Sequence, residues 1–168
     1  MSISKNRTMK VNVTKLKHAE PVESKNIELV KRFYRYLDSK KHDELGELIA
    51  PRAKVFYESG DHVTFSEMVP FIKTFYASFP DYKHTVEDIF AVGDKVVARL
   101  SFSGTFRNSF MGFDPNGKSF KYAGVHILQF KDGEVSSFWG IEDELGMMTQ
   151  LGFELKPKKL ESFQVNHS

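Results

Sequence analysis

Two apolar runs separated by Asp132-Gly133 constrain this chain more than any other stretch. An Asp-Gly pair in that setting supplies the two residues that a tight hairpin loop needs. It predicts antiparallel strands on either side and fixes their register. Pairing outward from Lys131 and Glu134, His126 falls opposite Trp139, and Tyr122 opposite Asp143. Side chains alternate along a strand, so Tyr122, His126, Trp139 and Asp143 are expected on one face. A His, a Trp, a Tyr and a carboxylate among Leu128, Phe130, Val135 and Ile141 read as the wall of a pocket.

The rest of the chain divides by hydrophobic period. Residues 24–41 form an amphipathic helix pattern, with Ile27, Val30, Phe33, Tyr34 and Leu37 on one stripe and Ser24 as N-cap. Asp43 opens a short second helix that Pro51 closes, and Ala53 to Tyr57 is a short strand. Thr64-Phe65-Ser66-Glu67 matches a capping box ahead of a third helix that carries Phe75. From Tyr82 the period becomes two. Strands at 84–92 and 95–106 flank the Gly93-Asp94 turn, whose register sets Asp88 opposite Arg99 and turns Val96, Ala98, Leu100 and Phe102 inward. Helices followed by an antiparallel sheet give an α+β order. The domain is read as residues 24–153, between a loosely ordered basic leader, 1–23, and a tail, 154–168.

Composition removes several classes of function. The chain has no cysteine, which excludes disulfides, thiolate metal sites and cysteine nucleophiles. A net charge of +2 over 168 residues argues against a nucleic-acid footprint. No apolar stretch is long enough to cross a membrane, and the leader lacks the apolar core of a secretory signal. A cytoplasmic location is expected, with organelle targeting by the basic leader left open. Sixteen Phe, six Tyr and one Trp are an unusual load, suited to a packed core or to an apolar ligand cavity. Asp61 and His62 lie near Glu58 in a Ser-Gly-Asp loop without a second His at ligand spacing, so no metal site is read there.

The run Trp139-x-x-x-Asp143-Glu144-Leu145-Gly146-Met147-Met148-Thr149-Gln150-Leu151-Gly152 resembles the C-terminal signature of SnoaL-like polyketide cyclases, of the nuclear-transport-factor-2-like (NTF2-like) superfamily. Phe79-Pro80-Asp81, Gly93-Asp94-Lys95-Val96-Val97-Ala98-Arg99, Gly104-Thr105 and Met111-Gly112-Phe113-Asp114-Pro115-Asn116-Gly117-Lys118 follow in the family's order. The family more often has Thr-Gly-Lys where Asn116-Gly117-Lys118 stands. The resemblance implies helices packed on a curved antiparallel sheet that encloses a cone-shaped cavity. It also implies acid–base catalysis of an aldol ring closure without metal or cofactor, with Asp143 as the catalyst and His126 as its matching histidine.

The residues themselves leave two roles open for Asp143. It is either a desolvated acid–base group at the end of an apolar strand, or the N-cap of the segment that begins at Glu144. His126 is set about 13 Å along the hairpin from Asp143, so it polarises or orients a substrate rather than pairing with Asp143. Trp139, Tyr122, Phe75, Met111 and Leu128 are the candidate substrate contacts. The expected ligand is a small apolar or aromatic carbonyl compound. The chain is read either as an enzyme of cyclase or isomerase type, or as a binding or interaction module that keeps the cavity without chemistry. The outer sheet face, with Phe90, Val97, Arg99 and Ser101, has the mixed composition of a homodimer interface.

Overall fold

The computed structural model describes residues 21–57 and 59–154, so the leader before Pro21 and most of the C-terminal tail lie outside the described residues. Helix α1 (Pro21–Asp38) is followed by a 3-10 turn (His42–Glu47), strands β1 (Ile49–Phe56) and β2 (His62–Thr64), and helix α2 (Phe65–Ser78). Four long strands come next: β3 (Lys83–Val92), β4 (Lys95–Thr105), β5 (Ser119–Lys131) and β6 (Glu134–Glu142). Helix α3 (Glu144–Leu151) ends the described chain. Helix α1 starts at Pro21, four residues before the first helical position that a Ser24 cap predicts, and a proline is tolerated in a first turn where its missing N–H has no partner to lose. At α2 the capping box forms: Thr64 Oγ1 accepts from the Glu67 amide, and the Glu67 carboxylate accepts from the Thr64 amide.

The six strands make one curved, unclosed sheet in the order β2-β1-β6-β5-β4-β3. Every neighbouring pair is antiparallel except β1 with β6, which is parallel. The sheet is therefore mixed, not purely antiparallel. The exception is a non-local pairing between a strand from the helical half and the last strand, which no local pattern records. Helix α1 lies over β3 and β4, α2 over β1, and α3 over β5. Val96, Ala98, Leu100 and Phe102 of β4 face these helices and are fully buried, and Asp88 pairs with Arg99.

Rings make most of the core. Phe79, fully buried at the end of α2, has the rings of Phe75, Phe106, Phe110 and Phe120 within 4.8–5.5 Å centroid distance. Offset and edge-on ring contacts of this kind add to the area they bury. Stiff aromatic side chains also resist collapse, so walls built from them can stand around a void. Phe79→Ala should lower unfolding free energy by about 3–5 kcal/mol. Urea denaturation followed by far-UV circular dichroism measures it, with a loss below about 1 kcal/mol as the contrary outcome.

Candidate active site

The hairpin forms at the predicted turn, with φ of 54° at Asp132 and 88° at Gly133. The register leaves the loop as expected, with Lys131 opposite Glu134 and Phe130 opposite Val135. It then shifts by one residue. Gln129 pairs with Ser137, and Ser136 is the extra residue, its hydroxyl donating to the Gln129 carbonyl at 3.1 Å. A bulge of this kind reverses the face of every side chain beyond it. Phe138 now stands opposite Leu128, Trp139 opposite Ile127, Gly140 opposite His126 and Glu142 opposite Gly124.

That shift rewrites the expected pocket wall. Trp139 lies on the outer sheet face, beside Ile127 and Phe56, and does not line the cavity. Phe138 lines it instead. Asp143 is exposed: its carboxylate accepts from the Gly146 amide at 2.8 Å and caps α3. Leu128 is fully buried on the inner face but belongs to the core, outside the cavity lining. Tyr122, His126, Phe75 and Met111 are at the cavity wall.

The cavity has a volume of about 400 Å³ and lies between α1, α2, α3 and the inner sheet face. Phe33, Ile72, Phe75, Phe110, Phe138 and Met148 supply much of its apolar surface, and Met111 stands exposed at its rim. Its polar groups are few: Tyr76, Tyr82, His84, Tyr122, His126, Glu142 and Glu144. A mainly apolar chamber with few polar groups is the usual make-up of a small-molecule site.

Glu142 takes the place expected of Asp143. His126 Nε2 lies 2.9 Å from Glu142 Oε1, and the Tyr122 hydroxyl donates to Glu142 Oε2 at 2.9 Å. The Tyr34 hydroxyl is 3.1 Å from His126 Nδ1, and the Tyr82 hydroxyl 2.6 Å from that of Tyr122. One proton assignment satisfies every atom. Tyr34 donates to Nδ1 of a neutral His126, whose Nε2–H donates to Glu142; Tyr82 donates to Tyr122, which donates to Glu142. Two glycines make room for this. A Cβ on Gly140 would meet His126 Cδ2 at 2.8 Å, and one on Gly124 would meet the Ile141 carbonyl at 2.7 Å and Glu142 Cγ at 3.0 Å. Each polar side chain thus stands opposite the residue that leaves it space.

The electrostatics agree with this assignment. Burial holds the His126 pKa below its ordinary value, and this outweighs the upward pull of Glu142. Burial works to raise the Glu142 pKa, but the hydrogen bonds from His126 and Tyr122 leave it below the usual value. Burial pushes the phenols of Tyr34, Tyr82 and Tyr122 upward, and the nearby Glu142 charge adds to it, so they remain protonated donors.

A second imidazole lines the same chamber. His84, at the start of β3, has Nδ1 2.7 Å from Asp38 Oδ1 at the end of α1, and its backbone amide donates to the same carboxylate. Phe102 connects the two sites: it pairs with His84 on one side and Tyr122 on the other, and its ring lies 5.3 Å from that of His84 and 5.5 Å from that of His126. Sequence reasoning missed Glu142, His84, Asp38, Tyr34 and Tyr82. A signal for Glu142 was present in Gly124 and Gly140, small residues in otherwise bulky strands, which often mark a close approach.

Residues 28–151 match the family described as SnoaL-like polyketide cyclase. The chain belongs to that family. Its fold is shared with the SnoaL-like polyketide cyclase candidate of Jannaschia sp. CCS1, at TM-score 0.74 and 23% identity over 83% of this chain and 99% of that one. AclR of Streptomyces galilaeus, a candidate hydroxylase, superimposes at TM-score 0.72 and 23% identity, over 81% of this chain and 85% of its own. IdmH of Streptomyces antibioticus, a candidate polyketide cyclase, has 29% identity and TM-score 0.67, over 75% of this chain and 97% of its own. No curated protein matches the chain in sequence. Among the described residues, no helix is long and apolar enough to cross a membrane.

The depressed pKa values of this SnoaL-like protein link the site to stability. In the unfolded chain His126 gains a proton near its ordinary value of 6.5, while in the folded chain it resists. Stability should therefore decrease as pH falls below about 6.5, and further below the ordinary Glu value of 4.5 as Glu142 is forced to protonate. Urea midpoints measured from about pH 8 to 4 should show a shallower decline near pH 6 for His126→Gln than for the wild type. Parallel curves would contradict the assignment.

Proposed function

We propose that this chain is a cofactor-independent acid–base enzyme, of cyclase or isomerase type, acting on a small, largely apolar carbonyl compound inside the cavity. The observation that carries the reading is Glu142: an ionised carboxylate at the wall of an apolar chamber, held by two donors from its own sheet. Glu142 accepts a proton from the carbon next to the substrate carbonyl, and the C–H electron pair passes into the enolate. An apolar ligand that displaces water from the chamber makes the carboxylate more basic, which suits it to this step. His126 and Tyr122 orient Glu142, and Phe75, Phe138 and Met148 hold the ligand's apolar body. Asp143, as the cap of α3, shapes the site without entering it. The family match and the likeness to IdmH support this reading of the reaction class.

One observation favours the second reading, a binding module without chemistry. Both Glu142 oxygens already hold donors, and a carboxylate so satisfied is a weak base. Deuterium uptake from D₂O at the carbon beside the carbonyl of 2-tetralone, followed by proton NMR, separates the two. The enzyme reading expects wild-type acceleration over buffer, a loss of at least about 100-fold in Glu142→Gln, and a change within severalfold in Asp143→Asn. Asp143→Ala should cost about 1 kcal/mol of stability through the lost cap. Binding of the ketone without exchange would favour the module, and exchange undiminished in Glu142→Gln would remove Glu142 from the chemistry.

The outer sheet face supports a homodimer. Phe90, Val97, Ile127, Trp139 and Phe56 pair in sequence across five strands, making one transverse apolar row, with Phe90 half exposed. A two-fold axis would lay this row on its own copy. Sedimentation equilibrium at micromolar concentration should give twice the 19.3 kDa chain mass, and Ile127→Glu should return it to the monomer. A wild-type monomer would end the proposal.

A further inference from the structure

His84 is an imidazole of the cavity that the mechanism above leaves unused. Its side chain is 5% exposed, and the residue borders two spaces. On one side is the cavity; on the other is an outer groove lined by Lys31, Arg35, Asp38, Glu87 and Asp88. Asp38 lines the groove alone, whereas His84 lines both. Nδ1 is taken by Asp38 at 2.7 Å, with the Tyr76 hydroxyl at a long 3.5 Å. Both hydrogen-bond partners of the ring are at Nδ1, and the residue itself lines the cavity. A carboxylate on Nδ1 fixes the ring and its tautomer, which leaves Nε2 as the nitrogen free to exchange a proton with a ligand.

We propose that His84 is the acid that complements Glu142, with Asp38 as its positioning residue. This rests on the acid–base reading of the cavity. As Glu142 takes the proton from carbon, the C–H pair forms the new C=C bond. The carbonyl π pair takes the proton from His84 Nε2, giving the enol. His84 is left neutral with Nδ1–H still on Asp38, and Nε2 regains a proton from solvent once the product has left the chamber. A carboxylate base and an imidazolium acid on neighbouring parts of one sheet divide the two proton transfers between them. The charged and titratable groups that face His84 are Asp38 and Tyr34 from α1, Tyr76 from α2, Tyr82 ahead of β3, and His126 and Glu142 from the sheet. Lys31, Arg35, Glu87 and Asp88 border the groove behind it. Of these, Asp38 is the carboxylate in hydrogen-bond contact with the ring.

The test uses the full chain and the same 2-tetralone exchange, measured against pH. An acid is lost as pH rises, so wild-type exchange should have a falling limb on the alkaline side. His84→Gln should lose at least about tenfold and show no such limb. Asp38→Asn, which leaves the cavity lining unchanged, should lower the rate, because Nδ1 has lost the carboxylate that fixes the ring and its tautomer. A substitution that only loosened the fold would lower the rate without removing the limb or changing the tautomer. In ¹⁵N-histidine spectra the neutral His84 should carry its proton on Nδ1 in the wild type and lose that preference in Asp38→Asn. Exchange that depends on Glu142 but is unchanged in rate and pH profile by both substitutions overturns the His84 assignment alone. An absence of wild-type exchange overturns the acid–base reading and this assignment with it.

Discussion

A carboxylate inside an apolar chamber is tolerable only if its charge is compensated, and the compensation of Glu142 organises the site around it. The two donors come from β5, through His126 and Tyr122, and each is itself held by a tyrosine. The chain of protons runs inward from both ends and stops on one anion. Removing any donor leaves a buried polar atom unpaired, at a cost that exceeds the worth of an ordinary hydrogen bond. The network is therefore cooperative, and it fixes the position of β6 against β5.

That position follows from a single added residue. Ser136 shifts the hairpin by one place, which turns Phe138 and Glu142 inward and sends Trp139 outward. Gly124 and Gly140 then supply the room that the longer Glu and the His ring require. The aromatic core does the rest. Phe102 packs on Tyr122 at 4.8 Å between ring centroids and also touches His84 and His126, so one rigid ring sets the spacing of three polar groups. The same stiffness keeps the space above them open.

Much of the frame was legible because local chemistry determined it. Asp132-Gly133 and Gly93-Asp94 gave their turns, Thr64 with Glu67 gave the start of α2, and the pairing of Asp88 with Arg99 followed from the second turn. The bulge was not legible, since no residue type is required at its extra position and only the fit of the two strands to the rest of the molecule selects it. The error was confined to the residues beyond Ser136: Trp139 and Asp143 changed face, whereas Tyr122 and His126 on the unbulged strand did not. The N-cap role of Asp143 was visible in the Glu-Leu-Gly-Met-Met that follows it. The Asp38–His84 pair joins residues 46 apart, and β1 finds β6 across most of the domain; neither contact leaves a trace in local periodicity.

The central claim is that Glu142, rather than Asp143, is the carboxylate that the sheet holds at the chamber wall, and that it is ionised because His126 and Tyr122 hold it. A ¹³C titration of the side-chain carboxyl of Glu142 tests this directly. It should give a midpoint below the ordinary value of 4.5, rising toward that value or beyond in Tyr122→Phe. A Glu142 that titrates at or above 4.5 in the wild type, indifferent to Tyr122, would contradict the account.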